Sequence, residues 1–226
     1  MKQTKMTINK TIPVNGKIHA TFPKIMELRK QPKSIAIQNY LIEKLEPKRY
    51  THVLSVQETA VALAMLHNAD VQKVSLAALL HDVVKWMSDE QLYAAVSQYK
   101  IELDPIEKNM PALLHAIVGV NYAIDLFEIT DLDILEAIRC HTTGNTSMGI
   151  IAKLIYVADF VEPTREYIEA AQVRKIAEKD LNQAVHHVAL TKIKFLLQKG
   201  TIIHPNTIHT YNSTLTTITE KNYTLY

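Results

Sequence analysis

Residues 77–86 read Ala-Ala-Leu-Leu-His-Asp-Val-Val-Lys-Trp, and the place of His81 and Asp82 in that apolar run decides how the rest of the chain is read. Leu76, Leu79, Leu80 and Val83 recur three and four positions apart. That is the helical period, so the spacing predicts a buried helix from Val71 to about Trp86, capped by Asp70. An ionised carboxylate on the apolar face of a helix is costly unless it is paired or bound to a cation. The same conflict recurs at Asp159, which follows Ile151, Leu154, Ile155 and Ala158 with no Lys or Arg on its predicted face. Four histidines, His52, His81, His115 and His141, stand at predicted helix ends or on apolar helix faces. Imidazoles and carboxylates together select a transition metal.

Outward from that run, the helical period continues. A short amphipathic helix is expected from Ser34 to Leu45, ended by Pro47; a turn then leads to Arg49-Tyr50-Thr51-His52, and the next helix is expected from Val53 toward Asn68. Others are expected from Ser88 to Tyr99, from Ala112 to Phe127 with Pro111 as an early residue, and from Asp131 to Cys140, where Thr130 and Asp133 resemble a capping arrangement. Thr142-Thr143-Gly144-Asn145-Thr146 reads as a loop. A buried helix into Asp159 follows, then one long helix from about Tyr167 to Leu197. Residues 1–33 read as an N-terminal extension with at most one short helix around Ile25, Met26 and Leu28, residues 34–200 as the main domain, and the Thr-rich residues 201–226 as a tail packed on it or extending from it. The fold class is all-α, a helical bundle.

Bulk properties agree. The chain has 226 residues, 47% hydrophobic, which suffices for one substantial core. Its net charge is +2 and its Lys and Arg residues are scattered, so nucleic acid is not the expected partner. With a single cysteine, no secretory leader and no apolar run of spanning length, a soluble protein of a reducing cytoplasm is expected, without a membrane partner. Whether it forms a homodimer is left open.

The candidate ligands lie far apart: 29 residues from His52 to His81, 33 from Asp82 to His115, 26 from His115 to His141 and 18 from His141 to Asp159. A structural zinc motif has its ligands in close pairs, so this pattern points instead to a site assembled in the core of a bundle. Six ligands also exceed one tetrahedral site, and a bridging carboxylate commonly holds two ions about 3.5–4 Å apart. Asp82 is expected in that role.

The ordered set His52, His81-Asp82, His115, His141 and Asp159 resembles the HD superfamily, and within it the YqeK-type hydrolases that split diadenosine tetraphosphate symmetrically. Carrying the likeness are Arg49-Tyr50-Thr51-His52, Ala77 to Asp82 with Lys85, Leu113-Leu114-His115, His141-Thr142-Thr143-Gly144, and Ile155 to Asp159 with Glu162-Pro163 and Arg165, over roughly residues 34 to 215. The resemblance implies that residues 34–200 form an HD domain. It implies two divalent ions, with iron the family's metal, although ligand type alone leaves manganese, zinc and cobalt open. It also implies that His52, His81 and Asp159 complete one site and His115 and His141 the other, and that a dinucleoside polyphosphate is hydrolysed to two ADP. Lys85, one helical turn beyond His81, is expected on the same face, where it holds a phosphate oxygen or the leaving group; Arg165, Thr142, Thr143 and Gly144 are expected to contact substrate. Where the family often has glycine after the third-helix histidine, this chain has Ala116, expected to add a methyl group at the pocket wall.

Other features have plainer readings. His67, His186, His187, His204 and His209 are expected at the surface or in packing, and so is His19. Cys140 reads as a small buried hydrophobe, and Trp86 and Met87 as core packing, with an adenine-stacking wall as the alternative. Two rival functions stand beside the main one. One is an HD phosphohydrolase acting on another nucleotide; against a cyclic dinucleotide, no Gly-Tyr-Pro follows the third-helix histidine, and against a guanosine alarmone, Val83-Val84-Lys85-Trp86 stands where a Glu-Asp pair is expected. The other is a metal-stabilised sensor without catalysis, against which the six positions are complete.

Overall fold

Four prolines, Pro32, Pro47, Pro111 and Pro205, each open a helix, where the missing N–H costs nothing and the fixed φ suits the first turn. The computed structural model describes residues 18–223; the remainder of the expected extension, residues 1–17, lies outside them. The described helices are α1 (Ile18–Arg29), α2 (Pro32–Lys44), α3 (Pro47–Leu66), α4 (Val71–Leu80), α5 (Asp89–Gln98), α6 (Pro111–Phe127), α7 (Leu132–Cys140), α8 (Ile150–Val161), α9 (Ile168–Ala177), α10 (Leu181–Gln198) and α11 (Pro205–Tyr223), with one short 3₁₀ turn at Glu107–Asn109. Among the described residues there is no strand, and no helix is long and apolar enough to cross a membrane.

The centre of the bundle is α3, α4, α7 and α8, which pack on one another, with α6 against α7 and α5 against α6. Val53, Val56, Ala60, Leu79, Leu80, Ile138, Leu154 and Ile155 fill it and are fully buried. α1 packs on α3 through Ile25 and Leu28, and Arg29 fastens it by bonding Gln57 and Glu58. α10 lies against α8, α9 and α11.

Several boundaries differ from those expected, each for a local reason. Pro47 does more than stop α2: it starts α3, so Arg49 to His52 form that helix's first turns rather than standing ahead of it. α4 ends at Leu80, and residues 81–86 run on in single turns closed by i to i+3 bonds such as Lys85 N–H to Asp82 O (3.0 Å). His81 and Asp82 thus sit at the end of a core helix. α7 is capped by Asp131, which accepts from the N–H groups of Asp133 and Ile134, rather than by Thr130. The expected long helix from Tyr167 is two helices, because Asp180 caps a new start at Leu181 by accepting from Gln183 N–H. The tail of weak periodicity contains a 19-residue helix, α11. Its buried positions are the threonines Thr207, Thr210 and Thr214, which hydropathy does not mark, and Tyr211 stacks on His186 of α10.

Candidate metal centre and cleft

Three of the candidate histidines are oriented by one local device. His81 Nδ1 donates to the Ala78 carbonyl (2.6 Å), His115 Nδ1 to Ala112 (2.8 Å) and His141 Nδ1 to Ile138 (2.8 Å), in each case three residues back. A carbonyl only accepts, so Nδ1 carries the proton and Nε2 is left as a bare lone pair facing the interior. At His81 and His141 the carbonyl belongs to the last turn of α4 or α7, where it has no intrahelical partner. His52 on α3 is held by a carboxylate instead: its Nδ1 donates to Glu162 Oε1 (3.0 Å), just past the end of α8.

The six candidate ligands meet in two groups of three, His52 with His81 and Asp159, and Asp82 with His115 and His141, each group having its donor atoms within 4.8 Å of one another. Asp82 faces both. Its Oδ1 lies 3.4 Å from His115 Nε2 and 3.8 Å from His141 Nε2, while its Oδ2 lies 3.6 Å from His81 Nε2.

The donor set fits divalent transition metals. His115 Nε2 and His141 Nε2 stand 3.0 Å apart, with the Lys85 ammonium 3.3 Å from the first. Two facing lone pairs repel unless a cation lies between them, and two ligand bonds of about 2.1 Å meeting near a right angle span about 3 Å. His81 Nε2 is buried with no hydrogen-bond partner, and the Nδ1 contacts supply the orientation that metal-binding histidines need.

Electrostatics set His52 apart from the other three histidines. Burial pushes His115 down to about 4, and holds His141 well below the usual histidine range and His81 below it as well. Burial also opposes charge on His52, but Asp159 and Glu162 on either side outweigh it and lift His52 to about 9. Against burial, the neighbouring histidines hold Asp82 and Asp159 below the usual carboxylate range. Arg49 Nη1 also bonds Asp82 Oδ2 (3.0 Å), and Arg165 Nη2 reaches Asp159 Oδ1 (3.3 Å).

Beside the first group opens a cleft of about 550 Å³ whose lining includes His52, Trp86 and five cationic side chains, Lys44, Lys48, Arg49, Lys85 and Arg165. Lys85 Nζ lies 3.3 Å from His115 Nε2, so Lys85 joins the cleft to the second group. Thr142, Thr143 and Gly144 are not brought to this cleft. Gly144 N–H donates to Cys140 O and Thr143 Oγ1 to Gly144 O, and both threonines line a separate cavity of about 240 Å³ with Lys192 and Phe195. Ala116 is fully buried and lines neither of these two spaces.

Arg49 and Glu162 carry the family likeness in the sequence without an assigned role, and Lys192 goes unmarked there. Glu162 is fully buried, accepts from His52 and from the backbone and hydroxyl of Thr164, and is held down to about 2 despite its burial. A carboxylate one turn after Asp159, at the end of an apolar run, was the available signal. Lys192 bonds the carbonyl of Thr142 (2.8 Å) across from α10, and nothing local to its sequence announces this. Three of the plainer readings fit: Cys140 is buried with its thiol pushed up to about 11 by burial, His186 stacks on Tyr211, and His67 bonds the Ala177 carbonyl, whereas His204 pairs with Asp104 (3.1 Å) and Trp86 lines the cleft. The side chain of His19 lies outside those described.

Comparison with known proteins agrees with this geometry. The HD domain profile matches residues 49–180. The chain is 39% identical to the symmetrical bis(5'-nucleosyl)-tetraphosphatase of Halalkalibacterium halodurans, over 76% of this chain and 91% of that protein. It is 38% identical to the Bacillus subtilis protein of the same name, over 75% and 91%. A crystal structure from Clostridium acetobutylicum, described as a predicted HD superfamily hydrolase involved in NAD metabolism, superposes with a TM-score of 0.77 at 38% identity, covering 80% of this chain and 95% of that one. The chain belongs to the HD-domain family, within the group of the symmetrical bis(5'-nucleosyl)-tetraphosphatases.

Proposed function

We infer that this chain hydrolyses dinucleoside tetraphosphates, diadenosine tetraphosphate among them, into two nucleoside diphosphates. The observation that carries the reading is the meeting of two ligand groups at Asp82, beside a cleft with five cationic side chains. The relatives with 91% of their length matched carry the name of this activity, which supports it further.

We propose that His52, His81 and Asp159 hold one divalent ion and His115 and His141 a second, with Asp82 shared between them. Iron is the metal the resemblance implies, and manganese, zinc and cobalt suit the same donors. When bound, such ions supply a water acidic enough to attack at neutral pH and positive charge for the phosphoryl oxygens. The side chains do the rest. Arg49, Lys85 and Arg165 line the cleft and bind the phosphate chain, fixing one inner phosphorus beside the ligand groups. The water oxygen bonds to that phosphorus, the anhydride bridge to the other inner phosphorus breaks, and the bridging oxygen leaves with the second half as ADP. Lys85, reaching from the cleft to His115, neutralises charge on the leaving oxygen. Glu162 keeps the proton on His52 Nδ1, so that Nε2 faces inward.

The deciding experiment incubates the metal-loaded protein with diadenosine tetraphosphate and with nucleoside di- and triphosphates, and resolves the products beside an Asp82→Ala control. ADP alone from the dinucleotide, lost in the control, is the expected result. AMP plus ATP overturns symmetric cleavage. Turnover of mononucleotides alone moves the substrate elsewhere in the family, and no turnover with any of the four metals leaves a sensor.

A further inference from the structure

Phosphates account for the cations of the cleft, yet nothing in phosphate chemistry calls for the indole that shares it. Trp86, the single tryptophan of the chain, lines that cleft next to Lys85. Its Nε1–H end is buried on the side of Tyr40, while the ring as a whole is only partly buried. Over its face stands the Lys44 ammonium, 5.6 Å from the centroid. Lys44 is in the last turn of α2 and its side chain is 36% exposed. The ring packs against the core, but the cation over its face belongs to a surface lysine that also pairs with Glu43 (2.8 Å), and such a cation can give way to a flat, polarisable partner.

The placement relative to the ligand groups is fixed by the backbone. Residues 81–86 run in closed turns from Asp82 through Lys85 to Trp86, so the ring stands at a set offset from the carboxylate that both groups share. A nucleobase stacks on an aromatic ring whatever its hydrogen-bonding edge, because every base has a π face. We propose that Trp86 is the platform on which one nucleobase of the substrate stacks, its phosphate chain running over Lys85 toward His52. This rests on the tetraphosphate reading above and adds a residue that decides which polyphosphates bind well: those carrying a base. Lys44, displaced from the ring, stays at the same cleft wall and meets a phosphate.

Since Trp86 is the only indole, its emission reports on this ring alone. The metal-loaded protein is titrated with ADP and, separately, with inorganic tripolyphosphate. Expected is a saturable change in emission with ADP, none with tripolyphosphate, and competition between the two for the shared cations. The same change with both ligands, or none with ADP, overturns the platform. Kinetics on diadenosine tetraphosphate supply the second measurement. Trp86→Leu is expected to raise KM about five- to a hundredfold with kcat within about twofold, and Trp86→Phe to recover most of the loss. Unchanged KM in a folded Trp86→Leu also overturns it; if that variant does not fold, the titration of the unmodified protein decides. The two readings can fail separately. A protein that binds ADP with the expected change but never cleaves the dinucleotide keeps the platform and loses the tetraphosphate reading. Symmetric cleavage without a base-dependent change does the reverse.

Discussion

Among the buried polar side chains of α3 to α8 are charged or ligating groups whose partners lie on other helices: His52 meets Asp159 and Glu162, and Asp82 meets His115, His141 and Arg49. In α11 they are neutral hydroxyls that bond chiefly back on their own helix, Thr210 Oγ1 to Asn206 O (2.7 Å) and Thr214 Oγ1 to Thr210 O (2.7 Å), with longer contacts outward from Thr214 to His186 Nδ1 (3.2 Å) and from Thr210 to Thr143 O (3.5 Å). The difference is one of cost. A buried charge must be met by something distant in the chain, so it fixes tertiary structure and creates a site. A buried hydroxyl can be satisfied four residues away and demands little of the rest of the fold.

The largest effect should come from stripping metal. Chelation is expected to abolish turnover, and adding back a divalent ion to restore it, while the far-UV circular dichroism of the stripped protein stays close to native. The metal-free centre can persist because burial keeps His81, His115 and His141 neutral, Arg49 pairs with Asp82, and His52 holds a proton between Asp159 and Glu162. Loss of the helical signal on chelation would show instead that the ions are structural.

Glu162→Gln tests whether the charged half of the comparison extends past the ligands themselves. The amide keeps the size but loses the charge that fixes His52, so metal affinity or kcat is expected to fall about 10- to 100-fold, with little change in the urea midpoint. Activity within twofold of the parent would reduce Glu162 to packing.

This contrast also explains what could be read from the sequence. His81, Asp82 and Asp159 were legible because charge-bearing side chains in apolar helical runs conflict with their surroundings, and the conflict survives in one dimension. Glu162 carries the same conflict, but its neighbour Pro163 drew attention to the helix end instead. Lys192 looks like any lysine on an amphipathic helix, and only the fold brings it to the Thr142 carbonyl. The loop Thr142-Thr143-Gly144 shows the opposite error of emphasis. Its donors looked available for a ligand, yet Gly144 N–H and the Thr143 hydroxyl are used within the loop, which packs under α11. The helicity of α11 was hidden because threonine is a weak helix former, and its buried stripe is polar.

Where the two regions touch, Gly144 is the sensitive point. Its φ is +72°, and a Cβ there would stand 2.3 Å from Thr210 Oγ1 on α11. Gly144→Ala therefore carries both backbone strain and a clash and is expected to cost about 1–3 kcal/mol in urea unfolding. Adding Thr210→Ala should return part of that loss by removing the clash and leave the strain, a coupling that a double-mutant cycle measures. Strictly additive effects would mean that loop and helix do not press on each other.

The smallest effect is expected on the exposed side of α11. Thr216 and Thr217 are exposed and bond only the carbonyls four residues back, Asn212 O and Ser213 O. Alanine loses less side-chain entropy than threonine in a helix and has no branched Cβ to crowd the preceding turn. Replacing both should raise stability by about 0.5 kcal/mol per site, with turnover unchanged. The direction matters more than the size. If hydroxyls on this helix serve only their own backbone, removing exposed ones stabilises the protein or leaves it alone. A loss of 1 kcal/mol or more would mean that this face of α11 is held by a partner outside the helix, and the division between long-range charges and self-satisfied hydroxyls would fail there.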